Sequence, residues 1–350
     1  MTKLYNIYTR SFLDIHRITD LCNAMNTRII YSALLLLFLF TSCEKKEKPI
    51  TLPAKGDGNV MQVDMGTDYD YQFYINLEQQ RIVKVSEVQT WDIAFESGLN
   101  QYHVFLNGAK SVAAFNTNKT NFADVGYNDT LQAKAQWAFD SPIGSTDSTA
   151  IGDWQLTKPI YILRLNESGS KLRKFQILSE DQFQYQIAVG DISSTTPAYL
   201  TVIKNFNQNF TYFSFDFLNT IQNIEPDKSA WDIVVTRYHH TFYDQSPALP
   251  YQVNGILLNP TNTYAYKDSL LEYSSIDKNI ALSVPLSSYR DVIGFDWKTY
   301  DIDKGIYTIV KKYNYIIKTQ NDIYYKLHFL DFYNSAGVKG SPKFEFTRLP

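Results

Sequence analysis

The chain has 350 residues, of which 15% are aromatic, and a formal net charge of −3. Its sequence carries no basic stripe, so a nucleic-acid partner is disfavoured. It also lacks a Gly-x-Ser-x-Gly elbow, a Gly-rich phosphate loop and a His-Glu-x-x-His motif, so we expect no catalytic activity.

The N-terminal region has the layout of a secretory signal over residues 25–43. Arg28 precedes a mostly apolar run at 29–40, which is too short to span a bilayer, and small residues follow it. The next residue is Cys43, and this ending resembles a bacterial lipoprotein signal, in which the cysteine is lipidated and becomes the first residue. We therefore expect residues 1–24 to be a misassigned N-terminal extension and Cys43 to carry a lipid anchor. A plain signal peptide or a buried strand is the alternative.

The same landmarks then occur twice along the chain. We expect residues 44–60 to form a charged tether. Beyond it, WDIAF at 91–95 recurs as WDIVV at 231–235, an offset of 140 residues. The same offset carries Phe73, Ile75 and Leu77 onto Phe213, Phe215 and Phe217. We interpret the pattern as a first β repeat at 61–204 and a second at 205–350, forming either two domains or two halves of one sandwich.

Local patterns favour β-structure in both repeats. Apolar and polar residues alternate over 213–217, as in a strand with one buried face. Asn-Gly at 107–108 and at 254–255 predicts two hairpin turns, and 270–276 can form one short helix. We expect Trp91 and Trp231 to anchor the core, with the following Asp accepting hydrogen bonds from turn amides. The predicted fold is all-β, an antiparallel sandwich-like structure built from a duplicated module with few short helices.

The second repeat resembles the HmuY family, haem-binding lipoproteins of Bacteroidetes. The resemblance rests on WDIVVTRY at 231–238, on Ile293-Gly294 with Trp297, and above all on FYNSAGVKG at 332–340. It is strongest over 205–350 and looser in the first repeat. It implies an all-β protein at the outer membrane or cell surface that captures haem and passes it to an outer-membrane receptor. Family members hold haem through two side chains, which the resemblance does not place in this sequence.

Haem iron takes imidazole, thioether or tyrosinate ligands, and the chain offers few histidines for this role. His239 and His240 follow the Trp231 strand, where neighbouring side chains point to opposite faces, so at most one enters a given pocket. His103 is the third candidate, and it can pair with either of them if the repeats face each other. Exposed histidines in polar loops are the alternative for all three. The aromatic residues expected to wall the pocket are Tyr238, Phe242, Tyr243 and Tyr251.

Three further side chains are weaker ligand candidates. His328 alternates with core residues and is expected to point outward, while Met61 and Met65 are more typical of packing at a sheet edge. We expect no metal other than haem iron. The alternative function is a non-catalytic surface lipoprotein that binds a glycan or a protein partner through a Tyr-rich face. A hydrolase with a dispersed triad is the third possibility.

Overall fold

The computed structural model of the protein describes residues 58–133, 136–166, 168, 170–221 and 223–350. The predicted signal, its lipidation site Cys43 and most of the tether lie outside these residues. The described residues belong to one compact unit, Lys55–Pro350. Within them, no helix has both the length and the apolar character needed to cross a membrane.

The first part of the described chain contains ten strands and one short helix, α1 (Tyr127–Ala133). The strands are β1 (Asn59–Gln62), β2 (Tyr71–Asn76), β3 (Arg81–Glu87), β4 (Ile93–Glu96), β5 (Val104–Leu106), β6 (Ala113–Asn116), β7 (Ile160–Arg164), β8 (Leu172–Glu180), β9 (Gln184–Asp191) and β10 (Ala198–Ile203). Short 3-10 turns lie at Gly108–Lys110, Phe122–Asp124 and Thr146–Ser148.

The second part again contains ten strands and one short helix, α2 (Lys278–Ser283). The strands are β11 (Phe210–Ser214), β12 (Asn219–Ile221), β13 (Ile233–Phe242), β14 (Leu249–Leu258), β15 (Tyr264–Asp268), β16 (Lys298–Asp301), β17 (Ile306–Ile309), β18 (Asn314–Lys318), β19 (Tyr324–Tyr333) and β20 (Lys339–Leu349). A 3-10 turn lies at Tyr273–Ser275. The predicted all-β antiparallel fold with few short helices is confirmed.

The strands form two four-stranded and two five-stranded sheets, with β16 and β17 as a separate hairpin. The four-stranded sheets have the orders β12-β11-β4-β5 and β14-β13-β2-β3, and the five-stranded sheets the orders β10-β9-β8-β7-β6 and β1-β20-β19-β18-β15. Each four-stranded sheet combines strands from both parts of the chain. Ile75 of β2 pairs with Ile233 of β13, and Ile93 of β4 pairs with Phe213 of β11.

Two large apolar clusters form between these sheets. One contains Phe95, Phe175 and Phe213, from β4, β8 and β11. The other contains Val235 and Phe329 together with Trp297, whose ring stacks on Phe329 at 3.7 Å between centroids. Each cluster therefore joins a four-stranded sheet to a five-stranded one, and burial of its apolar surface stabilises both layers.

The two predicted tryptophan anchors make closely similar contacts. The edge of Trp231 meets Tyr74 with ring centroids 4.9 Å apart, and Trp91 meets Tyr212 at the same distance. Trp231 is fully buried, and Trp91 packs at the edge of a smaller cluster. The expected anchoring role is therefore confirmed for Trp231, whereas Trp91 is only half-buried.

The aspartate after each tryptophan accepts a turn amide from the other part of the chain, as expected. Asp92 accepts from the backbone N–H of Phe215 at 2.7 Å, and Asp232 accepts from that of Leu77 at 2.8 Å. These matching contacts agree with a duplicated module, which stays a prediction.

The expected offset of 140 residues is wrong for the first hairpin of each repeat. Ile75 pairs with Ile233, and Phe213 pairs with Ile93. Ile233 and Ile93 are each the isoleucine of a Trp-Asp-Ile motif, so Ile75 and Phe213 occupy corresponding positions. The offset there is 138, because the second copy has two more residues between its hairpin and its tryptophan. Phe217 is accordingly 71% exposed and does not correspond to the buried Leu77.

The two Asn-Gly pairs do not form the predicted hairpin turns. Asn107 instead caps the 3-10 turn Gly108–Lys110 by accepting from the backbone N–H of Ala109. Asn254 and Gly255 lie inside β14, where a Cβ on Gly255 would come within 2.1 Å of the Gly294 carbonyl oxygen. Glycine is therefore needed at 255 for a close backbone approach and not for a turn.

The short helix predicted at 270–276 is also wrong in extent. Only the 3-10 turn Tyr273–Ser275 forms there, and α2 begins at Lys278. Asp277 caps α2 by accepting from the backbone N–H of Ile280 at 2.9 Å. An aspartate side chain satisfies a free amide at a helix start, which sets this boundary.

Candidate functional site

The far end of the β13–β14 hairpin forms one wall of a large cavity. β2 pairs with β13 only at 233–235, so β13 continues with β14 as its pairing partner. The cavity has a volume of about 950 Å³. Ligand pockets typically enclose about 300 to 1,000 Å³, so this one suits a large ligand.

Most of the cavity wall is aromatic or apolar. The lining residues of this kind are Tyr69, Phe139, Phe242, Leu249, Pro250, Tyr251, Val253, Phe295, Tyr300 and Tyr307. They come from both strands of the hairpin, from the loop that joins β1 to β2, from the 139–150 loop, from the loop before β16 and from the β16–β17 hairpin. Such a wall favours a ligand with a large apolar body.

His239 of β13 is the histidine that lines this cavity. Its side chain is buried, and its ring stacks flat against Phe139 with centroids 3.8 Å apart. Its Nδ1 has no hydrogen-bond partner among the described residues. Burial, aided by His240 and Arg164, lowers the pKa of His239 to about 4. The imidazole is therefore neutral at pH 7, which is the form that binds a metal ion.

His240 points to the opposite face of β13, as the strand alternation predicts. Its ring packs against Phe242 and Phe295, with centroids 4.8 and 4.9 Å away. It lines a different cavity, of about 440 Å³, which Asp244 and Asp291 also line. Burial lowers the pKa of His240, and the nearby Asp291 opposes this shift.

His103 does not lie beside either of these histidines in a shared cavity. Its Nδ1 lies 2.8 Å from a carboxylate oxygen of Glu96, and its ring stacks on Tyr102 at 4.2 Å. It is absent from the lining of the main cavity. The sequence allows His103 to pair with His239 or with His240. The structure brings neither pair together in one cavity.

His328 points away from the core, as expected, but this outer face of β19 is covered. Its ring stacks on Tyr273 at 3.8 Å, and its Nε2 lies 3.2 Å from a carboxylate oxygen of Glu345. The 3-10 turn Tyr273–Ser275 covers this face of β19, which the strand alternation alone does not reveal. Met65 is fully buried in the core, and Met61 packs beside the same cluster.

The four predicted pocket residues divide among three cavities. Phe242 and Tyr251 line the main cavity. Tyr238 is buried and lines a small cavity of about 120 Å³ next to it, which His239 also lines. Tyr243 lines the cavity beside His240 and is 81% exposed.

Four cationic side chains line the main cavity, and sequence reasoning missed all of them. They are Arg164, Arg237, Lys298 and Lys339, and the lining contains no Asp or Glu among the described residues. They lie far apart in sequence, so no local charge pattern indicates them. Burial lowers the pKa of Lys298 to about 7. The combination of aromatic walls, a neutral imidazole and several cations suits a large, mostly apolar anion.

One protein-family model matches part of the chain. Residues 68–201 match the HmuY protein family model. This stretch is HmuY-like. It lies within the first predicted repeat, whereas we expected the resemblance to be strongest over 205–350. No curated protein matches the chain closely enough to count as a relative.

Several solved structures share weak similarity with this chain. One is described as an HmuY-like haem-binding protein from Bacteroides vulgatus, with 16% identity, a TM-score of 0.23, and coverage of 39% of this chain and 82% of that one. Apo PinO from Porphyromonas gingivitis has 10% identity and a TM-score of 0.28, covering 85% of this chain and 99% of its own. The apo HmuY analogue of Tannerella forsythia has 12% identity and a TM-score of 0.25, covering 84% and 96%. At these scores no residue position is transferred to this chain.

Proposed function

We propose that this protein binds haem as cargo in the cavity that His239 lines. The observation that carries the proposal is a buried, neutral imidazole inside an aromatic cavity of about 950 Å³. A neutral imidazole nitrogen is a common axial ligand of haem iron, and aromatic walls suit the porphyrin faces. The HmuY family match over residues 68–201 supports the same ligand.

His239 is the side chain that we assign as an axial ligand. Tyr251, on the paired strand β14, and Tyr300 line the same cavity, and a tyrosinate is another ligand type for haem iron. His240 and His103 lie outside this lining. The protein itself supplies affinity and release, and we assign it no catalytic step.

The proposed setting is the outer membrane or cell surface. The lipoprotein-like signal ending at Cys43 supports a lipid anchor there, and family resemblance supports transfer of haem to an outer-membrane receptor for iron acquisition. Metabolic labelling with a tagged fatty acid tests the anchor. We expect label on the wild-type protein and none on Cys43→Ala, and label on both would contradict anchoring at this residue.

A haem titration of the soluble chain from residue 44 tests the ligand. We expect a saturable Soret band, and its shape and the reduced-state bands report the number and type of axial ligands. His239→Ala should change the band, while Lys311→Gln, at an exposed position, serves as the control. A flat titration with folded protein would overturn the proposal.

One observation favours the glycan-binding alternative. A second cavity, of about 400 Å³, adjoins the main one through Arg237 and Gln252, and its other lining includes Gln89, Asn166 and Asp216. Amide and carboxylate side chains of this kind hydrogen-bond sugar hydroxyls. A flat haem titration together with saturable binding to an oligosaccharide would favour this function instead.

A further inference from the structure

Three cations gather around one end of the main cavity, near Tyr69. Nη1 of Arg237 donates to the Asp68 carbonyl oxygen at 2.7 Å. Nζ of Lys339 lies 5.8 Å from the centre of the Tyr69 ring. Nζ of Lys298 lies 4.1 Å from the centre of the Trp297 ring and 4.8 Å from that of Phe332. It is 6.0 Å from the centre of the Tyr307 ring, which lines the cavity together with Tyr69. We name Arg237, Lys298 and Lys339 the cation cluster.

Lys298 is the most informative member, because its charge is buried. The residue is only 8% exposed, and its Nζ donates to the backbone carbonyl oxygens of Asn254 at 2.7 Å and Phe295 at 3.3 Å. Among the described residues, neither Lys298 nor Lys339 forms an ion pair with a carboxylate. Burial without a paired carboxylate lowers the pKa of Lys298 to about 7, and an anion bound beside its Nζ would stabilise the charged form.

The rest of the cavity lining adds no negative charge to compensate the cluster. Its described residues include no Asp or Glu, although Asp296 is close enough to Lys298 to oppose the lowering of its pKa. The cluster and His239 belong to the same cavity. One ligand can therefore place an apolar ring system against the aromatic wall and negative groups against the cluster.

We propose that Arg237, Lys298 and Lys339 form an anion subsite that takes the carboxylates of the bound porphyrin. This inference rests on the proposed function and names the part of the ligand that sets specificity. The protein then selects porphyrins with free carboxylates whether or not they carry iron. If instead the backbone carbonyls fully satisfy Lys298, esterifying the carboxylates leaves affinity unchanged.

The test compares metal-free protoporphyrin IX with its dimethyl ester, because neither ligand depends on an axial bond. Fluorescence titrations of the mature chain with both compounds, in the same dilute detergent, give the two dissociation constants. Charge-assisted hydrogen bonds contribute about 1.5 to 3 kcal/mol, which corresponds to about tenfold or more, so we expect the diacid to bind at least about tenfold more tightly.

Variants locate the effect. Lys298→Met keeps an apolar stem without the charge, and Lys339→Gln changes an exposed residue whose substitution leaves the core intact. Each variant should reduce the difference in affinity between the diacid and the diester, whereas Lys311→Gln should leave that difference unchanged. If Lys298→Met fails to fold, as judged by circular dichroism, Lys339→Gln decides.

The outcomes separate this inference from the proposed function. Equal affinity for diacid and diester, or a difference that both variants keep, overturns the anion subsite while haem binding stands. If neither haem nor either porphyrin binds, the proposed function falls and this inference falls with it.

Discussion

At the scale of single residues, His239 and His240 show how one step along a strand changes chemistry. Both are on β13, yet His239 stacks on Phe139 and lines the main cavity, whereas His240 packs behind Phe295 and lines a different cavity. The strand alternation predicts that only one histidine enters a given cavity, but not which one. That depends on Phe139, a residue 100 positions earlier in the chain, for which the sequence carries no signal.

We expect His239→Ala to weaken haem binding by at least about tenfold, equivalent to about 1.4 kcal/mol, because it removes the assigned iron ligand. His240→Ala should leave the affinity within a few-fold of wild type, since His240 lines a different cavity. Absorption titrations of the two variants make the comparison. A larger effect from His240→Ala would contradict the assignment.

The low pKa of His239 predicts an unusual pH dependence of haem ligation. Its folded-state pKa is lowered from 6.5 to about 4, so the folded protein keeps a neutral imidazole as the pH falls from 7 to about 5. Ligation should then be lost as the pH falls through about 4, when the nitrogen takes a proton. In the unfolded chain this histidine takes up a proton near pH 6.5. The free energy of unfolding therefore falls progressively as the pH is lowered from 6.5 to 4.

Soret spectra recorded stepwise from pH 7.5 to 3.5 measure this dependence, with near-ultraviolet circular dichroism confirming that the chain remains folded. A ligation midpoint near pH 6.5 would show that His239 is solvated as an ordinary surface histidine and would contradict the burial seen here.

At the scale of elements, the loop after α1 places Phe139 against His239. Its anchor is Asp140, which accepts from the backbone N–H of Leu106 at 2.5 Å and from that of Ala150 at 2.7 Å. Burial raises the pKa of Asp140 to about 7, with both amides opposing the shift. The side chain thus ties the loop to β5 and closes the loop on itself.

We expect Asp140→Ala to lower the free energy of unfolding by about 1 to 3 kcal/mol, because two buried amides lose their acceptor. Loosening this loop should also weaken haem binding by freeing Phe139 from His239. Asp147→Ala, in the same loop but exposed, is the matched control and should change neither quantity. Urea unfolding and haem titration of both variants measure the effects, and equal losses would rule out the anchoring role.

Local sequence patterns predict these elements unevenly. The alternation at 213–217 predicts a strand with one buried face, yet β11 ends at Ser214 and is buried on both faces. Phe217 lies in the turn before β12 and is 71% exposed. Asn254-Gly255 wrongly predicts a turn, because Gly255 instead allows the backbone of Gly294, in a distant loop, to approach closely. The cation cluster has no local signal at all, because its residues meet only when β13, β16 and β20 are in place.

At the scale of the whole molecule, the two parts of the chain exchange strands. β2 pairs with β13, β4 pairs with β11, and the N-terminal β1 pairs with the last strand, β20. The buried aspartates reinforce the exchange, since Asp232 holds the Leu77 amide and Asp92 holds the Phe215 amide. The repeat boundaries at 204 and 205 therefore separate sequence segments whose sheets depend on each other.

This exchange predicts that neither predicted repeat folds alone. Residues 58–204 keep the pairs β2–β3 and β4–β5 but lose β13 beside β2 and β11 beside β4. Residues 205–350 keep the pairs β13–β14 and β11–β12 but lose β2 and β4. Each fragment would expose strand edges and apolar faces, so we expect little stable secondary structure and a tendency to aggregate. Together the two fragments should restore the folded signal, because all strand pairs are then present.

Circular dichroism and urea unfolding of the intact chain, each fragment and their equimolar mixture test this. The intact chain should unfold in one transition, with tryptophan fluorescence and far-ultraviolet signals coinciding, because the shared sheets couple both cores. Asp232→Ala should lower the midpoint of that single transition, and Asp227→Ala, at an exposed position nearby, should not. Two separate transitions, or one fragment with a cooperative transition of its own, would show that the chain is two independent domains despite its exchanged strands.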